Sequence, residues 1–510
     1  MAQKLFDKAS LVMIPSQYKE GKIYNIKPED QSSSFEFERG SAATRVNSSG
    51  LIEYVGIGAE LVTNGDFSDN SSFPSNGWTI SLGSPVISNG KLTLPNNARV
   101  RQIDVVETTE EYIGSIEISG LTQGYVDFYI GNSEKVSLDS NGTHSFFISD
   151  PTSAVIYLYA FNNFDGEIDN VSVKKVSNDT PRLDYSGTEP ALLLEPQRTN
   201  NVTYSEDFSQ SYWFNSGVNV TPNQAIAPDG TTTADLTELS SNNNRLGKDI
   251  SSSAGTYTFS FYVKAKEGES GVWVSRLIGD STINTETTVN DTEWVRVTET
   301  VTLSSNGTIF IYPSYRIDGT STLFNAYIWG AQLEQGSYAT SYIPTNGQTE
   351  TRLADVCQGG GDASVFNDSE GTLYLEYEPE KDLQMVSLSN GTSAEAVWLY
   401  LINGGSTLSV YVNSGGGQVA SINSGTYESI TANSSVVKVA ATYKTNEFKS
   451  FVNGSLIATD TAGATPTGLN VLEFKYPTGS AYDTKAKIRA LYYFPEALTD
   501  TELQQLTSNT

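Results

Sequence analysis

Five aromatic side chains are placed to stack against a flat ligand. In Phe261-Tyr262-Val263-Lys264 the two-residue period of a strand sends Phe261 and Val263 one way, Tyr262 and Lys264 the other. Trp273 pairs in the same manner with Ser275, and Phe310 with Tyr312. One sheet face could therefore carry Tyr262, Trp273 and Tyr312. Trp398 and Tyr400 share one face of a further strand. Aromatic faces beside polar neighbours suit the pyranose ring of a sugar. The other destination for such rings is a core between sheets, and Trp78, Trp294 and Trp329 are assigned there.

Other chemistry is thinly provided. His144 is the only histidine, in the alternating strand Thr143-His144-Ser145-Phe146-Phe147 with no nucleophile motif beside it. A Ser-His-Asp triad or a histidine-rich metal site would have to use it. Cys357 is the only cysteine, so no internal disulfide forms, and it is expected to be a plain thiol. Gly359-Gly360-Gly361-Asp362 lacks the Lys-Ser/Thr and the helix of a phosphate loop and is expected to be a linker. A glycosidase needs only two carboxylates, and 59 acids supply pairs by chance. No stretch resembles a catalytic domain, so a non-enzymatic protein is expected, with glycan depolymerase activity as the enzymatic alternative.

The 510 residues carry 31 basic and 59 acidic side chains, a net charge of −28. Such a chain is repelled by phosphate backbones and anionic bilayers. No run approaches the ~18 apolar residues of a membrane span, and the N-terminus has no apolar signal region. No nucleic-acid partner and no membrane insertion are expected. The 28 Tyr, 21 Phe and 6 Trp lie in alternating runs broken by Gly, Asn and Ser, the pattern of an all-β protein.

Strands that position the aromatics recur along the chain. Residues 1–58 contain Leu11-Val12-Met13-Ile14, ended by Pro15, and the alternating Phe35–Gly40. That is too little apolar material for a core of its own, so an extended arm, disordered alone, is expected. Residues 59–177 form a first module opening on Asn64-Gly65-Asp66-Phe67, with Trp78 following. After a connector over 178–199, residues 200–355 repeat it: Tyr204-Ser205-Glu206-Asp207-Phe208 matches that opening and Trp213 matches Trp78. Thr44-Arg45-Val46, Pro181-Arg182-Leu183 and Thr351-Arg352-Leu353 recur as joints that seat one module on the next. Each Arg is placed to bridge carbonyls or acids. Residues 356–510 form a third module, with a hairpin turn at Asn453-Gly454. A single helix ends the chain, capped by Thr499 with Glu502 closing the box, and Leu503 and Leu506 face the sheet.

The opening Val62–Phe67 with Gly77-Trp78, and the closing Ile168–Val173, resemble carbohydrate-binding-module jelly rolls. Asn453–Leu456, the closing Leu491–Phe494 and the final helix resemble a concanavalin A/laminin-G-like sandwich. Phe37–Asn47, Leu192–Asn200 with Tyr204–Phe208, and Ala339–Thr345 resemble bacteriophage virion appendage proteins. The resemblance implies an all-β chain: an N-terminal arm, two jelly-roll β-sandwiches and a C-terminal concanavalin A-like β-sandwich. It implies no required cofactor but a possible structural Ca²⁺ at Asp66 and Asp169, with Glu206 and Asp207 at the second opening. Ser68 stands where a Glu often follows, and Ala326-Tyr327 where an acidic pair is expected.

The function so implied is a structural protein of a phage virion: tail fibre, spike or capsid fibre. Residues 1–58 would dock on other virion proteins and the modules would reach a host-surface glycan. Such fibres are often homotrimers, although no coiled-coil heptads are visible. Assembly in the host cytoplasm and release by lysis would follow. A capsid or neck decoration or cement protein, and a bacterial surface glycan-binding protein, remain the alternatives.

Overall fold

The computed structural model describes residues 3–508 apart from 71–72, 75, 132–133, 149–150, 188, 379–383, 403–406, 424–435 and 478–484. The Gly-rich loop Asn403-Gly404-Gly405, suited by its glycines to a close approach to a ligand, lies outside the described residues. The architecture is all-β, and every strand pairing described is antiparallel. The chain divides into two units: Met1–Val55 with Asn178–Arg198 and Arg352–Thr510, and Gly56–Ser177 with Thr199–Thr351.

The first unit is a sandwich. One sheet runs Arg182–Asp184, Ala191–Leu194, Ala486–Phe494, Glu370–Glu378, Val437–Lys444, Glu447–Val452, Ser455–Asp460. The other runs Gly417–Asn423, Thr407–Ser414, Ala396–Ile402, Gln384–Ser389, Val471–Glu473. Asn453 and Gly454 both have positive φ, 45° and 81°, as a tight two-residue hairpin requires. The last helix, Asp500–Thr507, starts on the expected capping box, Thr499 and Glu502 each accepting from the other's backbone N–H. Leu503 and Leu506 are buried with Tyr374, Phe451 and Phe494 of the sheet.

Residues 1–58 do not form a separate arm. Leu11–Met13 pairs with Leu491–Tyr493, and Leu192–Leu194, from the expected connector, pairs with Ala486–Ile488 on the same strand. Leu11, Met13, Ile23, Phe35 and Phe37 lie in the core with Leu373, Leu399 and Tyr493. The apolar content that looked too small for a core completes one supplied mainly by residues more than 300 positions away, with Leu192 and Leu194 between. The short strands also cover an edge that would otherwise expose unpaired backbone groups. Nor is Gly359-Gly360-Gly361 a linker. Gly360 exchanges backbone hydrogen bonds with Leu472, and a Cβ there would stand 2.4 Å from the Phe35 ring.

The Thr-Arg joints are real but seat residues within this unit. Arg182 and Arg352 each donate to Glu195 Oε2 at 2.8 Å. Arg182 also reaches Asp355, which takes Arg39 Nη1 at 3.1 Å. Arg45, less buried, holds Glu53 at 2.9 Å and the Leu183 carbonyl at 3.1 Å.

The second unit holds the two repeats. In the first, Glu111–Ile130 and Ile156–Val176 each run the length of the module, and their register shifts around Gly120 and Gly124. In the second, two five-stranded sheets enclose one core. The repeat is exact enough in chemistry to be read residue by residue. Trp78 packs on Phe67 at 5.6 Å and donates Nε1–H to the Asn64 carbonyl. Trp213 packs on Phe208 at 4.8 Å and donates to the Tyr204 carbonyl.

Candidate functional site

Trp398 and Tyr400 stand on the outward face of the five-stranded sheet of the first unit. The period decides it: Val397 and Leu399 are buried in the core, so the residues between them face out. Trp398 lies opposite Ser387 on one neighbouring strand and Tyr411 on the other, and Tyr400 lies opposite Ser409. The indole is 5.1 Å from the Tyr476 ring and 6.3 Å from Tyr411. Trp398 is 8% exposed, yet its Nε1 has no hydrogen-bond partner among the described residues. A buried indole N–H is normally satisfied. Here the unmet donor sits among the Tyr411 and Tyr476 rings. Burial pushes the Tyr400 hydroxyl's pKa up, with Tyr411 adding to it, so it stays a neutral donor. At the rim, Gly415 and Gly416 have positive φ, and Glu395 accepts from the N–H groups of Gly415 and Thr467.

The three residues expected on one face of the second repeat are not together. Tyr262 lies in Gly255–Ala265 of one sheet, Trp273 and Tyr312 in Gly271–Ile278 and Gly307–Tyr315 of the other. Trp273 is fully buried and donates Nε1–H to the Pro313 carbonyl at 2.8 Å. Tyr312 pairs with Arg276, on the face opposite Trp273. Ser275, which shares the strand face of Trp273, is buried as well. Its hydroxyl is satisfied there by donating to the Glu299 carboxyl group inside the sandwich. Tyr262 sits half-buried beside Trp329, with the Arg296 guanidinium 5.5 Å from its ring.

Glu299 carries a pH dependence. Burial pushes its carboxyl up to about 7, against the pull of hydrogen bonds from Ser275 and Thr285. An unfolded glutamate loses its proton near about 4.3. The folded state therefore holds a proton that the unfolded chain has lost, so this stability is complete below about pH 4 and is lost as pH rises through 7. Glu206 and Asp235, each pushed up to about 8 chiefly by burial, act with the same sign. Urea unfolding of this unit is expected to show stability falling from pH 5 to pH 8. Glu299→Gln should flatten the fall by on the order of 2 kcal/mol; an unchanged profile would refute the assignment.

The remaining expected residues are simply placed. Asp66 is exposed and accepts from the N–H and hydroxyl of Ser68, and Asp169 accepts from the Asn170 N–H. Among the described residues no three His, Cys, Asp or Glu side chains converge as metal ligands. His144 is half-buried with Nε2 2.9 Å from the Ser140 carbonyl, its pKa lowered by burial. Cys357 is buried, which raises its thiol pKa well above the ordinary value.

A second aromatic face, in the first repeat, was missed. Ile156, Leu158 and Ala160 point into the core, so Tyr157, Tyr159 and Phe161 face out; Val126, Phe128 and Ile130 likewise leave Tyr125 and Tyr129 outside. The strands pair Tyr125 with Phe161 and Tyr129 with Tyr157. The rings stack at 5.3 Å and 4.3 Å, and Tyr159 lies 4.1 Å from Phe161. Each strand's alternation was legible; that the two strands are neighbours was not.

Residues 358–504 match the Concanavalin A-like lectin/glucanases superfamily. No curated protein matches the chain. Among solved structures, the chain is similar to the CBM40 of a Ruminococcus gnavus IT-sialidase bound to α2,3-sialyllactose, at 22% identity over 30% of this chain and 94% of that one, TM-score 0.24. It is also similar to a CBM22 tandem of Paenibacillus barcinonensis Xyn10C, at 14% identity over 55% and 98%, TM-score 0.23. A third is mouse laminin α1 domains LG4-5, at 11% identity over 51% and 90%, TM-score 0.20.

Proposed function

We propose that this chain is a non-catalytic glycan-binding protein whose concanavalin A-like sandwich meets sugar through Trp398, Tyr400, Tyr411 and Tyr476. The observation that carries the reading is the buried Trp398 indole with its unmet Nε1–H. A sugar hydroxyl supplies an acceptor for that donor while the ring covers the aromatic patch. The non-catalytic part rests on the sequence, where the one histidine lies in a strand and no segment resembles a catalytic domain. Native electrophoresis through gels cast with neutral polysaccharides tests it. At least one polymer should retard the protein, and Trp398→Ala should weaken that retardation by roughly tenfold or more. Equal retardation of both proteins overturns the site, and release of reducing ends overturns the non-catalytic reading.

The virion assignment rests on the three appendage-like segments, Phe37–Asn47, Leu192–Asn200 and Ala339–Thr345. On this reading the protein is carried on a phage particle, is released by lysis, and contacts other virion proteins and a host-surface glycan. Docking through a detached arm is dropped, because Leu11–Met13 and Phe35–Glu38 are strands of the first unit. Mass spectrometry of purified particles decides it, and light scattering of the purified protein tests for a trimer.

A further inference from the structure

We propose that the outward sheet face of the first repeat is a second binding site, for a carboxylate-bearing polysaccharide. The inference rests on the glycan-binding reading and adds a ligand class at a separate place. Next to the stacked rings runs the strand Arg99–Gln102. Val100 points into the core, so Arg99 and Arg101 face out on the aromatic side. Arg99 lies opposite Tyr159 and Arg101 opposite Tyr157. The Arg99 guanidinium lies 5.5 Å from the Tyr157 ring and 5.6 Å from Tyr159, and its Nε–H donates to Ser81 Oγ at 2.9 Å.

Charge complementarity selects the occupant. In a chain of net charge −28, two arginines two residues apart on one strand stand about 7 Å apart. Among the described residues neither is paired with a carboxylate. Asp127, an acid on this face, is 1% exposed and taken up by Tyr129 and Ser137 hydroxyls. A guanidinium fork backed by rings grips a carboxylate in two parallel hydrogen bonds. The tyrosine hydroxyls beside it suit the hydroxyls of the sugar that bears the carboxylate. A nucleic acid strand is also a stacking polyanion, so single-stranded DNA enters the test as the competing occupant.

The test uses the full chain, titrated calorimetrically at low salt with polygalacturonate, alginate and hyaluronate, with the carboxyl-reduced form of each, and with single-stranded DNA. At least one acidic polymer should bind. Reduction of its carboxyls, and the double substitution Arg99→Ala with Arg101→Ala, should each weaken binding roughly ten- to a hundredfold. Arg99→Lys should recover only part of that loss. Both arginines lie outside the core, and an unchanged melting curve confirms the fold. Equal affinity for the reduced polymers, indifference to the double substitution, binding only to DNA, or no binding overturns the proposal. Retardation by a neutral polysaccharide that depends on Trp398 is independent of all four outcomes.

Discussion

Removing residues 1–55 should abolish the cooperative unfolding of the C-terminal sandwich while leaving the two repeats folded. Leu11, Met13, Ile23, Phe35 and Phe37 are each at most 1% exposed and belong to that sandwich's core. At about 1.5–3 kcal/mol for each buried side chain, five of them contribute roughly 8–15 kcal/mol. A whole domain is stable by only about 5–15 kcal/mol. The deletion also strips half an edge from Ala486–Phe494 and leaves Val356–Gln358 without its partner Phe35–Glu38. Calorimetry should lose one transition, and limited proteolysis should digest 356–510 while sparing 56–177 and 199–351. In the intact protein, amide exchange across Phe35–Glu38 should be slow, since that strand is paired on both sides. A truncated protein that keeps both transitions would show that the N-terminal strands only decorate the sandwich.

What the sequence hid in this unit is what pairs over long distances. Local signals were legible: the Asn453-Gly454 hairpin, the Thr499–Glu502 box, and the Phe-Trp pairs that open each repeat. So was the shared face of Trp398 and Tyr400, because one strand's period determines it. The partner of Leu11–Met13 lies about 480 residues on, and no period reports that. Gly359–Gly361 looked like a linker because glycine marks both flexible chain and close approach, and only the Phe35 and Phe366 rings tell which. Trp273 shares its strand face with Ser275, a polar residue whose partner, Glu299, is itself inside the core. Pattern reading takes polar to mean outside, and it fails where a core contains a satisfied polar pair. The row of rings on the first repeat failed to show for the first reason: Tyr125 and Phe161 face each other only once two distant strands are paired.

Replacing Asp355 by Asn should destabilise the first unit by about 3–5 kcal/mol, the cost of breaking a buried ion pair from one side. Arg39, Arg182 and Arg352 are all within 3% of full burial, and in this cluster they form ion pairs with Glu195 and Asp355. The cluster thus already holds one more positive than negative charge. Burial brings Arg39 down to about 10, with Asp355 opposing the shift. Burial also works against the charge on Arg182, yet Asp355 and Glu195 raise its pKa above the ordinary value. Asp355 further accepts the Glu195 backbone N–H at 2.8 Å. Asparagine keeps the shape and removes the charge, leaving three guanidiniums against one carboxylate in a place water does not reach. Arg39→Met tests the same electrostatics from the other side. It leaves two guanidiniums facing two carboxylates and removes an Nη2 that has no partner among the described residues. It gives up the bonds from Arg39 to the Ser41 and Thr180 carbonyls, a loss of roughly 1–3 kcal/mol. Urea unfolding should therefore rank Asp355→Asn below Arg39→Met, and the double variant should fall short of the sum, because without Arg39 the lost carboxylate is needed less. Equal losses would mean that hydrogen bonding, rather than the excess charge, governs the cluster.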